Sequence, residues 1–251
     1  MDEAELARRR SQFGRSCRSL LANSPRSLGA QGPGFWIALS GAPSPDLNMV
    51  LVDSPDAATL AHAMTTVQQA GFPTLFMLAG KCRDEDLDGT FTEAGEMPFM
   101  FSGLGEDQLR KDGRVRQAGP DDRDAFARLI SEGFELDRPV ADLMARTLEL
   151  PVDVAKVFFF SEGDTPVSTV LTSIVDDAVC VWCMATPPRH ARRGYARALL
   201  GDVLARARDE GARVGLLGAT PAGKPLYDAT GWITLETWRV TTNAVSAQFA
   251  G

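Results

Sequence analysis

The 251-residue sequence carries no surplus of positive charge. Its 26 Lys and Arg stand against 33 Asp and Glu, a net charge of -7 with both histidines neutral. Bulk nucleic-acid binding, whose first requirement is a basic face, is not expected. Long apolar runs are also missing: no stretch approaches the roughly 18 apolar residues of a membrane-spanning helix, so no membrane partner is expected. The opening MDEAELARRRSQFGRSCRSLLANSPRSLGAQGPG has no apolar centre of a secretory signal, and Asp2, Glu3 and Glu5 count against a transit peptide. The expected location is cytoplasmic. Four cysteines, Cys17, Cys82, Cys180 and Cys183, are too few and scattered for a disulfide scaffold. Cys180 and Cys183 form a C-x-x-C, but within AVCVWCMA, which reads as a strand and turns them to opposite faces, so no metal site is expected. Tyrosine is as scarce as histidine, with only Tyr195 and Tyr227.

What is present is ample apolar material, 44% of residues, in an alternation of strand and helix patterns. Residues 1–34 read as an arginine-rich arm or linker. Residues 35–103 give strands at FWIALSG, LNMVLVD, PTLFMLAG and EMPFMFSGL, a helix closed by Gly71, and a short helix near Thr90 to Ala94. GEDQLRKDGR reads as an interdomain linker. Residues 115–251 then give a strand at VRQA, two helices, a three-strand meander, a strong amphipathic helix YARALLGDVLARARDEG, and a strand-helix-strand ending. The expected fold class is α/β with a mixed sheet. The two halves resemble one another: counting from the helix-closing Gly71 and Gly211, Gly194 falls opposite Ser54 and Tyr227 opposite Phe91. A repeat of one unit is expected.

Two stretches carry chemistry. LLGATPAGKPLYDATGW holds Gly218, Gly223 and Lys224 at nearly the spacing of a phosphate-binding P-loop, but the hydroxyl required after the lysine is replaced by Pro225, so a nucleotide triphosphate site is excluded. MATPPRHARRGYARALL runs a strand into a turn bearing Arg189, His190, Arg192 and Arg193, then into a helix at Gly194. Unpaired amides at such a helix start, on the positive end of its dipole, make an anion site.

With these residues in view, residues 115 to 240 resemble the GNAT superfamily of acyl-CoA-dependent N-acyltransferases. The family's pyrophosphate loop, Arg/Gln-x-x-Gly-x-Gly/Ala, is matched by Ala191-Arg192-Arg193-Gly194-Tyr195-Ala196, with Ala191 departing at the first position. The resemblance implies a GNAT fold, two GNAT-like units in tandem, and acetyl-CoA held by the amides of Arg192, Arg193, Gly194, Tyr195, Ala196 and Arg197. It implies further that Met184, Ala185 and Thr186 end a splayed strand pairing with the pantetheine arm. Tyr227, in LYDATGW, matches the family's second motif and is the candidate general acid, since a departing thiolate needs a proton. For the base that must deprotonate the amine, Glu132, Glu135 and Asp137 are candidates, with Asp176 and Asp177 as alternatives. The acidic cluster suits a small cationic primary amine, acetylated by direct attack in a ternary complex. A non-catalytic acyl-CoA sensor is the alternative, and a homodimer is compatible with either. The first half has VDSPDAATL where the loop should be; Asp53 and Asp56 would repel a pyrophosphate and Phe91 cannot donate a proton, so no CoA binding is expected there.

Overall fold

The computed structural model describes residues 1–22, 24–54, 56–80, 82, 87 and 89–244. In chain order the elements are α1 (Glu3–Leu21), β1 (Leu28–Gly32), β2 (Phe35–Leu39), β3 (Asn48–Val52), α2 (Ala57–Ala70), β4 (Leu75–Leu78), β5 (Thr92–Ser102), β6 (Val115–Gln117), α3 (Arg123–Phe134), α4 (Arg138–Met144), β7 (Lys156–Glu162), β8 (Thr165–Val175), β9 (Ala178–Ala185), α5 (Tyr195–Asp209), β10 (Val214–Gly218), α6 (Lys224–Asp228) and β11 (Ile233–Thr242). The mixed α/β architecture is the one expected. Among the described residues no helix is long and apolar enough to cross a membrane. The chain forms two compact units: Met1–Phe99 together with the stretch from Thr234 on, and Met100–Ile233.

In the first unit β1, β2 and β3 form an antiparallel meander and α2 carries the chain to β4, parallel to β3. Asp56 caps α2 by accepting from the Thr59 amide at 2.9 Å, and Gly71 ends it at φ 70. Two readings of this half are corrected. The first 34 residues are no arm: α1 is a 19-residue helix whose Phe13 packs on Trp36, Phe99 and Trp238. Gly14 permits the approach, since a Cβ there would lie 2.5 Å from the Trp36 ring. Its arginine pattern concealed a buried face, because Arg9 and Arg10 are buried beside paired carboxylates. Thr92 to Ala94, expected as helix, begins strand β5, where Gly95 at φ 135 takes a backbone conformation glycine tolerates. The last strand also changes allegiance: Arg239 to Thr242 of β11 pair antiparallel with Leu78 to Leu75 of β4, so the first unit is not contiguous in sequence.

In the second unit β6 to β9 run antiparallel and α5 crosses to β10, parallel to β9. The run Phe158-Phe159-Phe160 shows how its sheet is filled. Strand alternation sends Phe158 and Phe160 into the core with Leu199, Leu200, Val203 and Leu204 of α5, and Phe159 to the other face against Phe126 of α3. The polar stretch before β6 is not a free linker. Arg110 donates its amide to the Gly201 carbonyl at 3.2 Å, and fully buried Asp202 accepts the Asp112 amide at 2.8 Å and pairs with Arg206. Gly201 has no side chain because Gln108 O would stand 3.2 Å from its Cβ.

Candidate functional site

The site grows out of one irregular strand. β9 pairs with β10 only from Ala178 to Cys180, opposite Val214 to Leu216, while β9 runs on to Ala185. Beyond Cys180 the two parallel strands part. On the other side of β9 the register to β8 shifts between Thr169↔Ala185 and Leu171↔Trp182, so Cys183 and Met184 together oppose Val170. This is a β-bulge, and Cys183 takes a left-handed φ of 48. The C-x-x-C therefore lies in a distorted strand, not the regular one expected. Splay plus bulge leave Met184, Ala185 and Thr186 on a stretch of chain that β10 no longer pairs. Ser168 fixes its end, hydrogen bonding with the Ala185 carbonyl at 3.2 Å and the Thr186 hydroxyl at 2.7 Å.

The loop that follows turns at Arg192 (φ 61) and Gly194 (φ 82) into α5. No side chain caps that helix, and none of the amides from Arg192 to Arg197 has a hydrogen-bond partner among the described residues. A run of aligned, unpaired donors at the positive end of a 15-residue helix is an anion cradle, and exposed Arg192, Arg193 and Arg197 surround it. Nothing lies within 4 Å of a Cβ built on Gly194, so the space above the loop is open. Tyr195 faces inward, stacked on Phe160 with centroids 5.0 Å apart and donating to Glu162. These features fit a pyrophosphate on the loop and an extended pantetheine-like arm along β9; the missing Arg or Gln at Ala191 removes no backbone donor.

The first unit offers a contrast. There β3 and β4 stay paired to Val52↔Leu78, extended by the Ala79 amide on the Val52 carbonyl at 2.9 Å. The α2 start is capped by its own Asp56. Asp53 donates no free charge either, because Arg10 reaches it at 3.1 Å while binding Glu236 at 2.6 Å. The strands are zipped where β9 and β10 are splayed.

Tyr227 stands in α6, 7% exposed, in the same core as Met184 and α5. Its ring meets Trp232 edge-on at 5.8 Å, and Trp232 in turn fills the space left by Gly215, whose Cβ would come within 2.6 Å of the indole. The hydroxyl has no hydrogen-bond partner among the described residues. Burial, with the nearby Cys183 thiol adding to it, pushes the phenol well above its ordinary range, so the proton is retained at any physiological pH.

The base candidates fare differently. Glu132 is brought to the end of β9: its neighbour Gly133 packs against Ala185 and Thr186, and its carboxylate is paired with Arg189. Glu135 ends α3 in a left-handed conformation (φ 54) and is exposed, Asp137 opens α4 at the surface, and Asp176, also left-handed, turns the β8–β9 hairpin with Asp177. Sequence reasoning missed Gly133, for which a glycine interrupting a helical pattern was the available signal, and it read Arg189 as part of the basic anion-binding turn, without its pairing to Glu132.

Residues 125–231 match a family model described as the acetyltransferase (GNAT) family. No curated protein matches the chain. Among solved structures, a GCN5-related N-acetyltransferase from Kribbella flavida shares the fold with a TM-score of 0.69 at 16% identity, over 94% of this chain and 96% of that one. A functionally unknown conserved protein from Staphylococcus epidermidis gives 0.63 at 12%, over 86% and 93%. A GCN5-related N-acetyltransferase from Sphaerobacter thermophilus gives 0.56 at 11%, over 86% and 79%. The chain shares the fold of these GCN5-related N-acetyltransferases, and residues 125–231 are similar to the acetyltransferase (GNAT) family.

Proposed function

We propose that the second unit binds acetyl-CoA and acetylates a primary amine on a small cationic molecule, by direct attack in a ternary complex. The observation that carries the reading is the run of unpartnered amides from Arg192 to Arg197 beside a strand that has parted from its neighbour. The amides and arginines hold the pyrophosphate, and the freed edge of Met184, Ala185 and Thr186 aligns the arm. When bound, acetyl-CoA supplies an acetyl group activated as a thioester. Tyr227 keeps a proton available for the sulfur that must leave, and Trp232 over Gly215 keeps the ring in place. Glu132, beside the end of β9, is the group best placed to receive the amine.

The first unit, zipped and internally capped, holds no cofactor in this reading; in it we retain the view of a degenerate, tandem GNAT-like copy. One observation favours the second reading, an acyl-CoA sensor: the carboxylate beside the end of β9 is already engaged by Arg189.

Calorimetric titration with acetyl-CoA, alongside Gly194→Asp, tests the proposal. A side chain at this position meets no neighbour, and Asp is among the few residues besides glycine that take a left-handed φ, so the variant should fold with modest strain while its carboxylate blocks the cradle by bulk and charge. Saturable binding lost in the variant supports the cofactor site. Wild-type protein that takes up no acetyl-CoA ends the enzyme reading.

A further inference from the structure

The ion pair between Arg189 and Glu132 has an odd construction. Glu132 Oε2 is sealed from solvent, yet no donor is aligned on it as a hydrogen bond; the Arg189 guanidinium simply lies against it. Arg189 itself is 52% exposed on its side chain, against 32% for Glu132. The only other hold on the guanidinium among the described residues is Nε donating to His190 Nε2 at 3.2 Å. Arg189 is therefore the more solvent-exposed partner of the pair.

Position makes the pair interesting. Glu132 precedes Gly133, whose missing side chain lets α3 close on Ala185 and Thr186, the end of the bulged strand. Arg189 comes from the turn between that strand and the anion loop. The pair thus bridges the two elements flanking the end of β9, where an acceptor would enter. A guanidinium and an alkylammonium present the same charge and N–H donors to a carboxylate, but an ammonium is compact and can aim a donor along the unused lone pair.

We propose that Arg189 is an internal stand-in for the acceptor: a second ammonium of a diamine or polyamine displaces it from Glu132, and this exchange selects cationic acceptors. The inference rests on the acetyl-transfer reading and names its substrate class. Half-exposed ion pairs contribute little to stability, so the exchange costs little. The gain is a properly directed, charge-assisted hydrogen bond on an oxygen that now has none.

The experiment is calorimetric titration of 1,4-diaminobutane into full-length protein saturated with CoA, with acetyl-CoA titrated separately into each protein. Arg189→Ala should bind the diamine about 2- to 5-fold more tightly, the release of a weak competing pair. Glu132→Gln should weaken it about 10-fold, and the double variant should match Glu132→Gln alone. Arg123→Ala, which removes an equal charge from the start of α3, where Arg123 pairs with Glu149, should leave diamine affinity unchanged and so controls for net charge. Loss or constancy of diamine affinity in Arg189→Ala overturns the inference, as does tightening that survives in the double variant. If the diamine pattern holds while acetyl-CoA fails to bind the wild type, the amine site stands and the transferase reading falls.

Discussion

Gly133 and Ala185 stand closer than two side chains could. A Cβ on Gly133 would lie 2.8 Å from the Ala185 Cβ and 3.4 Å from the Thr186 amide nitrogen. Helix propensity alone makes Gly133→Ala stabilising by up to about 1 kcal/mol. Crowding of a rigid methyl against strand β9 costs about 1–3 kcal/mol. The contact should win, giving a net loss of about 1–2 kcal/mol by thermal unfolding. Gly119→Ala, which meets nothing within 4 Å, serves as comparison and should change little. A stabilised Gly133→Ala would mean that α3 does not seat on the end of β9 as described.

Tyr227→Phe keeps the ring that packs on Trp232 and removes only the hydroxyl. If the phenol donates the proton, the turnover rate should fall about 10²- to 10⁴-fold while acetyl-CoA affinity stays the same. A sensor would show neither loss. The pH profile adds a sign. Burial first, and Cys183 second, raise this pKa, so the protonated form persists beyond the ordinary tyrosine range of about 10. Wild-type rate should therefore show no alkaline fall below about pH 10 from this group. A descending limb near pH 8 that disappears in Tyr227→Phe would contradict the assignment.

Arg10 is buried with carboxylates on two sides, held by Glu236 through two 2.6 Å hydrogen bonds and by Asp53 at 3.1 Å, and Trp238 donates to the same Glu236 at 2.6 Å. Burial alone would lower its pKa, but the carboxylates win and raise it, so it is always charged. Arg10→Met leaves Asp53 and Glu236 without a counter-ion and should destabilise the protein by about 3–5 kcal/mol. Arg8→Met, on the exposed face with a loose pair to Glu5 at 3.6 Å, should lie within about 0.5 kcal/mol of wild type. Chemical denaturation of the three proteins decides; equal effects of the two variants would show that the buried network contributes nothing special.

How far the sequence speaks depends on whether the information is local. The amphipathic face of α5, the helix-closing Gly71, the FFF strand and the loop at Gly194 follow from periodicity and turn chemistry within a few residues. So does the placing of Tyr227 after a strand and a glycine. Partners hundreds of residues apart are invisible to such rules. The buried side of α1 reads as a basic arm because Arg10 finds its carboxylate at Glu236, and the engagement of Glu132 is set by Arg189 from beyond β9. The bulge at Cys183 has no composition cue at all, since nothing in AVCVWCMA announces that one residue falls out of register.

The allegiance of β11 leads to the last prediction. Cutting the chain at the polar stretch after Gly103, where composition suggests a boundary, would leave residues 1–103 without the strand that pairs with Leu75 to Leu78. Trp238 would be missing from its stack on Phe99, 4.6 Å away, and from its contact with Phe13. Arg10 would lose Glu236 as well. Removing one such core tryptophan costs about 3–5 kcal/mol, of the order of a whole small domain's stability, and an open apolar strand edge invites association. Residues 1–103 should therefore lack cooperative unfolding and tend to aggregate. The same fragment with residues 234–244 joined through a flexible Gly/Ser linker should recover a sigmoidal melt, because the returned strand supplies the edge, the tryptophan and the carboxylate together. Circular dichroism on both polypeptides distinguishes the cases. A cooperative melt in the shorter one would show that the first unit is closed without β11.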